Sequence, residues 1–169
     1  MAPMSYLDTK KIHFVGIGGI GISALAKFLL SQGKQLTGSD LHLSDITKQL
    51  AFRGVTVHEG HHGDYLPPDT ELLIYSPAIP SGNPERVKAR MRRIPECSYA
   101  DALGELSKQY STIVVTGTHG KSTTTAMLGL MLEAAGYDPT VIVGSLVPSF
   151  AEGNLRIGKS RFLVLEGCE

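Results

Sequence analysis

Ile12-His13-Phe14-Val15-Gly16-Ile17-Gly18-Gly19-Ile20-Gly21 is the stretch on which the reading of the fold turns. A short apolar run of strand type enters G-x-G-x-x-G, and Ile22 to Leu30 then reads as a helix stopped by Gly33. Glycines in that setting make a tight turn and let the backbone approach a pyrophosphate closely. They also place helix N–H groups in front of an anion. Asp40 lies 19 residues beyond Gly21, where a ribose-binding carboxylate sits in dinucleotide folds. Gly16, Gly18, Gly19, Gly21 and Asp40 are therefore candidate contacts for a diphosphate-containing ligand. NAD, FAD and a UDP-sugar satisfy the same geometry, so the motif leaves the nucleotide open. Glycines that only serve packing are the blander alternative.

Outward from this stretch the same alternation continues. Gln35-Leu36-Thr37 is a second strand, closed by Gly38-Ser39-Asp40, and Ser44 caps a helix over Asp45 to Phe52 that stops at Gly54. Val55-Thr56-Val57 and Glu71 to Tyr75 are further strands, and Asn83-Pro84-Glu85 opens a helix with proline in its first position. Strands separated by helix-length segments predict a parallel doubly wound sheet. The pattern restarts near residue 110. Thr112 to Thr116 is a β-branched strand, Ser122 to Ala135 a helix stopped by Gly136, and Thr140 to Val143 and Arg161 to Leu165 are strands. The fold class is α/β: a Rossmann-like parallel-sheet domain over residues 1–108, then the start of a P-loop α/β domain over 109–169. The last strand has no helix after it and is expected to leave an unpaired apolar edge.

The second domain opens on Thr116-Gly117-Thr118-His119-Gly120-Lys121-Ser122-Thr123-Thr124-Thr125, again between strand and helix. Backbone N–H groups of such a loop cradle phosphates. Lys121 reaches β- and γ-phosphates, and the Ser122 hydroxyl can hold Mg²⁺. Gly117, Thr118, His119, Gly120, Lys121, Ser122 and Thr123 are the candidate ATP contacts. The loop is shorter than the general G-x-x-x-x-G-K-[ST], which would require glycine at the position of Val115. His119 is a candidate catalytic residue, with hydrogen bonding beside the phosphate cradle as the blander role.

Bulk composition narrows the field. The 169 residues are 42% hydrophobic, enough for a buried core, and Lys plus Arg (16) balance Asp plus Glu (16). A neutral chain has no electrostatic footprint for nucleic acid or an anionic membrane, so an anion must be held by a loop or helix end. Cys97 and Cys168 form no CxxC pair and read as reduced thiols. No run approaches the roughly 18 apolar residues of a membrane span, and a cytoplasmic location is expected. His58, His61 and His62 could be a metal cluster, but a solvated loop is the preferred reading.

The two glycine loops together resemble the Mur ligases of peptidoglycan synthesis. Gly38-Ser39-Asp40, Tyr75-Ser76-Pro77-Ala78-Ile79-Pro80, Asn83-Pro84-Glu85 and Arg93-Ile94-Pro95 also look like that family's first domain, and the likeness runs from Lys11 to Glu169. The resemblance implies that ATP, with Mg²⁺, phosphorylates the lactyl carboxylate of UDP-N-acetylmuramate, and that the amine of L-alanine then displaces phosphate. It implies Lys121 at the transferred phosphoryl group, Ser39, His61 and Ser76 near the UDP-sugar, and Ser122 and Glu166 as metal ligands. Ser122 stands where threonine is more usual, and Cys168 stands where the family has Asp. Mur ligases are much longer, so a truncated chain unable to complete ligation alone is expected. A related ligase that recycles a tripeptide onto UDP-N-acetylmuramate and a NAD-binding oxidoreductase module are the alternatives. Gly18-Gly19 stands where the recycling enzyme usually carries a cysteine, and a dehydrogenase has no use for the second loop.

Overall fold

The computed structural model describes residues 8–167. Cys168 lies outside the described residues. Two compact units divide between Glu105 and Leu106.

The first unit is built on strands β1 (Lys11–Val15), β2 (Gln35–Asp40), β3 (Thr56–Glu59), β4 (Leu72–Tyr75) and β5 (Glu96–Ser98). Helices α1 (Ile20–Ser31), α2 (Asp45–Phe52), α3 (Pro84–Met91) and α4 (Tyr99–Ser107) intervene or follow, and a 3-10 turn spans Gly63–Tyr65. The sheet order is β3-β2-β1-β4-β5, with every pairing parallel. This is the doubly wound order, whose chain reverses direction across the sheet between β1 and β4. Val15 is in register with Ser39 on one side and Tyr75 on the other, so the three strands reach the same rim. Phe14, Leu25, Leu29, Leu50, Leu72, Leu73 and Ile74 are buried in the core.

The helix signals act as the sequence predicts. Ser44 and Thr47 form a reciprocal capping box on α2, and Asn83 caps α3 with Pro84 beside it. Gly38-Ser39-Asp40 does not close the second strand: β2 continues through all three residues. Gly38 permits this because a Cβ there would lie 2.8 Å from the Phe14 carbonyl oxygen and 2.9 Å from Ile17 Cδ1. The third strand begins one residue late and extends to Glu59. β5 and α4 were not foreseen, since three residues of strand carry no period to read.

The second unit contains β6 (Ser111–Val115), α5 (Lys121–Ala134), β7 (Thr140–Ile142), β8 (Leu155–Arg156) and β9 (Phe162–Glu166). Its sheet order is β6-β9-β7-β8. The last strand is therefore interior, paired in parallel with both β6 and β7, which corrects the expectation of an unpaired terminal edge. β9 inserts because Leu163, Val164 and Leu165 are buried and demand cover on both sides. The edge strands are β6 and β8, and in β6 Ile113 is 39% and Val114 50% exposed. Val141, Val143, Val147, Phe150 and Val164 form the core, against Ala126, Leu128 and Leu132 of α5. Gly129 lets the helix come close, since its Cβ would lie 2.7 Å from Val141 Cγ2.

Gly38→Ala is expected to destabilise the first unit by about 1–3 kcal/mol, because backbone must move to admit one methyl group. Gly104→Ala, on α4 with open space around it, should be neutral or stabilising by up to about 1 kcal/mol. Urea unfolding of both variants checks the contrast, and equal effects would contradict it.

Candidate functional site

The first glycine loop leaves the rim of the sheet at Gly16, whose φ of +79° is the left-handed region that glycine tolerates. The N–H groups of Gly16 and Ile17 both donate to the Ser39 carbonyl, at 2.8 and 3.0 Å. The loop is thereby tied to the end of β2. Gly18 N–H donates to Asp40 Oδ2 at 2.7 Å, and a Cβ at Gly18 would lie 2.9 Å from both that oxygen and Thr47 Cγ2. Gly19 is the N-cap of α1, which receives no side-chain cap and has no acidic residue in its first turn. The helix end is thus electropositive and faces the reversal point of the sheet.

A cavity of about 510 Å³ opens there, lined by Gly16, Gly18, Gly19, Asp40, Leu41, His61, Ser76, Ala78, Ile79 and Pro80. Its size suits a small-molecule ligand. No lysine or arginine lines it, so an anion in it is met by backbone N–H groups and the helix end. The sequence-predicted Gly16, Gly18, Gly19, Asp40, His61 and Ser76 come together in this lining. Gly21 instead packs under α4, where a Cβ would meet Tyr99 Oη at 2.9 Å. Ser39 is also absent from the lining: it is fully buried and donates its hydroxyl to Glu85 Oε1 at 2.8 Å.

That bond belongs to a buried polar cluster that sequence reasoning missed. Glu85 Oε1 lies 3.1 Å from His61 Nδ1, and Glu85 Oε2 lies 2.7 Å from His13 Nε2. His13 Nδ1 is 2.7 Å from Thr37 Oγ1, and His61 Nδ1 is 2.9 Å from Ser39 Oγ. His13 and Glu85 are both fully buried. A titratable residue in the middle of the apolar run at residues 12–15 was the available signal. The neighbouring histidines do other work. His58 stacks on Tyr65 with centroids 4.3 Å apart, and the His62 ring accepts from Asp64 N–H.

In the second unit, residues 116–120 are exposed and join β6 to α5. Gly117 (φ +150°) and Gly120 (φ +74°) supply the backbone angles that other residues resist, and Gly120 is the uncapped N-cap of α5. Lys121 Nζ donates to the Gly117 carbonyl at 2.6 Å, so the lysine amine sits over its own loop. Ser122 Oγ donates to Glu166 Oε1 at 2.9 Å, while Glu166 Oε2 accepts from Gly144 N–H at 2.7 Å. Two hard oxygen ligands from α5 and β9 are thus side by side at an electropositive helix end. That donor set fits a small divalent cation beside phosphate. Thr118, His119 and Thr123 are exposed on or beside the loop, whereas Thr125 is buried and donates to the Lys121 carbonyl. Gly144 was not singled out in the sequence.

A doubly wound parallel sheet is thus followed by a short G-T-H-G-K-S loop. A family model described as "Mur ligase family, catalytic domain" matches residues 11–111. The chain belongs to the Mur ligase family. It is 43% identical over 163 residues to a UDP-N-acetylmuramate–L-alanine ligase of Clostridium novyi, covering 96% of this chain and 35% of that protein. The corresponding ligase of Salinibacter ruber is 45% identical over 161 residues, 95% of this chain and 34% of its own. The chain spans about a third of the length of these curated relatives. Among solved structures, the UDP-N-acetylmuramate-alanine ligase of Thermotoga maritima superposes with a TM-score of 0.85 at 37% identity, covering 92% of this chain and 37% of that one. A UDP-N-acetylmuramate:L-alanyl-gamma-D-glutamyl-meso-diaminopimelate ligase from Neisseria meningitides gives 0.84 at 28% identity, covering 94% and 52%. Among the described residues no helix is long and apolar enough to cross a membrane.

Glu85→Ala should destabilise the first unit by about 2–5 kcal/mol, because it strands His13, Ser39 and His61 without their shared acceptor. Urea unfolding measures this, and a change below about 0.5 kcal/mol would contradict the cluster's structural weight.

Proposed function

We propose that the chain supplies the UDP-sugar-binding and ATP-phosphate-binding parts of a ligase that joins L-alanine to UDP-N-acetylmuramate. The observation that carries this reading is the pairing in one chain of a cavity at the reversal point of a doubly wound sheet with a short G-K-S loop. In the first unit, the N-terminal turn of α1 would receive the diphosphate, and Asp40 would accept from a ribose hydroxyl. One Asp40 oxygen already takes Gly18 N–H, which holds that carboxylate at the loop. Ser76 and His61 would complete the contacts.

In the second unit, the loop N–H groups and Lys121 would hold the ATP phosphates. The Lys121 ammonium would offset charge that develops on the transferred phosphoryl group. Ser122 and Glu166 would hold Mg²⁺, which would supply positive charge beside the ATP phosphates. The γ-phosphoryl group passes to the lactyl carboxylate and ADP leaves. The amine of L-alanine then attacks the carbonyl carbon, phosphate departs, and the nitrogen loses a proton as the amide forms. A cytoplasmic setting belongs to the same reading.

By structural superposition, 37% identity to the L-alanine ligase against 28% to the tripeptide-adding enzyme favours L-alanine as the amino acid. The oxidoreductase alternative has no role for Lys121 and Ser122.

Isothermal titration calorimetry of the 169-residue chain tests the reading. UDP-N-acetylmuramate should bind and NADH should not; the reverse pattern would overturn the proposal. Lys121→Ala should weaken ATP binding about tenfold or more and leave UDP-N-acetylmuramate binding unchanged. Ser122→Ala should abolish the gain in ATP affinity that Mg²⁺ confers on the unaltered chain.

A further inference from the structure

We propose that Glu85 is a positioning residue for the first cavity: from the buried core it fixes the Nδ1–H form of His61. Nε2 of His61 is thereby set as an acceptor for the nucleoside end of the ligand. The second half of this inference rests on the UDP-sugar reading above.

Asn83 Oδ1 caps α3 by accepting from Glu85 N–H and Arg86 N–H, which places the Glu85 carboxylate in the first turn, at the positive end of the helix. An ionised carboxylate only accepts hydrogen bonds. Every neighbour of Glu85 must therefore present a proton to it. Ser39 does so with its hydroxyl, at 2.8 Å. His13 does so with Nε2, at 2.7 Å, which leaves His13 Nδ1 to pair with Thr37 Oγ1.

His61 meets the cluster only through Nδ1, 3.1 Å from Glu85 Oε1 and 2.9 Å from Ser39 Oγ. The Ser39 proton already points to Glu85, so both atoms facing Nδ1 are acceptors. Nδ1 must then carry hydrogen. In the neutral ring, Nε2 is left with its lone pair and takes no part in the cluster.

A cluster that served the core alone would end within it. This one ends on a residue that lines the cavity beside Gly18, Asp40 and Ser76. An acceptor nitrogen there cannot pair with a diphosphate, which offers only acceptors. It pairs with a ribose hydroxyl or a base N–H. The site is thus divided: loop N–H groups face the phosphates, while His61 and Asp40 accept from the nucleoside. The division is enforced from Glu85, 24 residues along the chain from His61.

Nitrogen-15 NMR of the histidine rings reads the tautomer directly, at about pH 8 where an ordinary imidazole is neutral. His61 should carry its proton on Nδ1 in the unaltered chain. Finding it on Nε2 overturns the proposal without any variant. Glu85→Gln keeps the shape but puts an amide NH₂ where one acceptor oxygen stood, so the histidine that faces the NH₂ should switch tautomer, His61 to Nε2–H or His13 to Nδ1–H, while the melting temperature stays close to that of the parent. Finding both rings unchanged in the folded variant also overturns it. A switched His61 should lower UDP-N-acetylmuramate affinity about tenfold, and a switch of His13 alone should leave it unchanged; the opposite pattern overturns the assignment of Nε2 to the ligand. If the unaltered chain binds no UDP-N-acetylmuramate, the substrate reading fails by itself, and the tautomer still decides the role of Glu85.

Discussion

Two backbone N–H groups, those of Gly16 and Ile17, converge on the single carbonyl oxygen of Ser39. This contact holds the first glycine loop against the end of β2 and makes the cavity possible. It brings Gly18 to Asp40 and fixes where α1 begins. It also explains why β2 must run on through Gly38 to Asp40 instead of turning away at Thr37. A side chain at Gly38 would push against Phe14 and Ile17, and the shared carbonyl would move out of reach. The ligand end of the first unit therefore depends on close packing within the sheet.

The second unit solves a related problem with different parts. Its loop uses two glycines with positive φ, and the helix it opens is uncapped. The side chains that complete the site come from opposite ends of the segment: Lys121 and Ser122 follow the loop directly, while Glu166 arrives at the end of β9. Insertion of β9 between β6 and β7 carries Glu166 to Ser122 and to Gly144. A strand at the sheet edge would not have been flanked in this way. In both units a carboxylate at a strand terminus, Asp40 or Glu166, accepts from a glycine N–H and steadies a loop.

Much of this was legible in the sequence because it is local. Ile12 to Gly21 and Thr112 to Ser122 each state strand, turn and helix within a dozen residues, and the caps Ser44 and Asn83 mark helix starts by their own chemistry. Contacts formed across the chain were not legible. Sheet order depends on pairings between distant strands, so the interior place of β9 could not be read from its composition. β8 is two residues long and β5 three, too short to show a period. Asn83-Pro84-Glu85 was recognisable as a helix start, but nothing near it announces that Glu85 meets His13, 72 residues away. Ser39 was given as a ligand contact by the family resemblance; its buried hydroxyl meets Glu85, 46 residues away, and His61, which no local pattern announces.

The central claim is that the α1 end and its glycine loop receive the diphosphate of a UDP-sugar. A crystal structure of the chain with UDP-N-acetylmuramate tests it most directly. Diphosphate oxygens are expected within hydrogen-bond distance of the N–H groups at the start of α1, with the ribose beside Asp40. A diphosphate bound elsewhere, with that helix end facing only solvent, would contradict it.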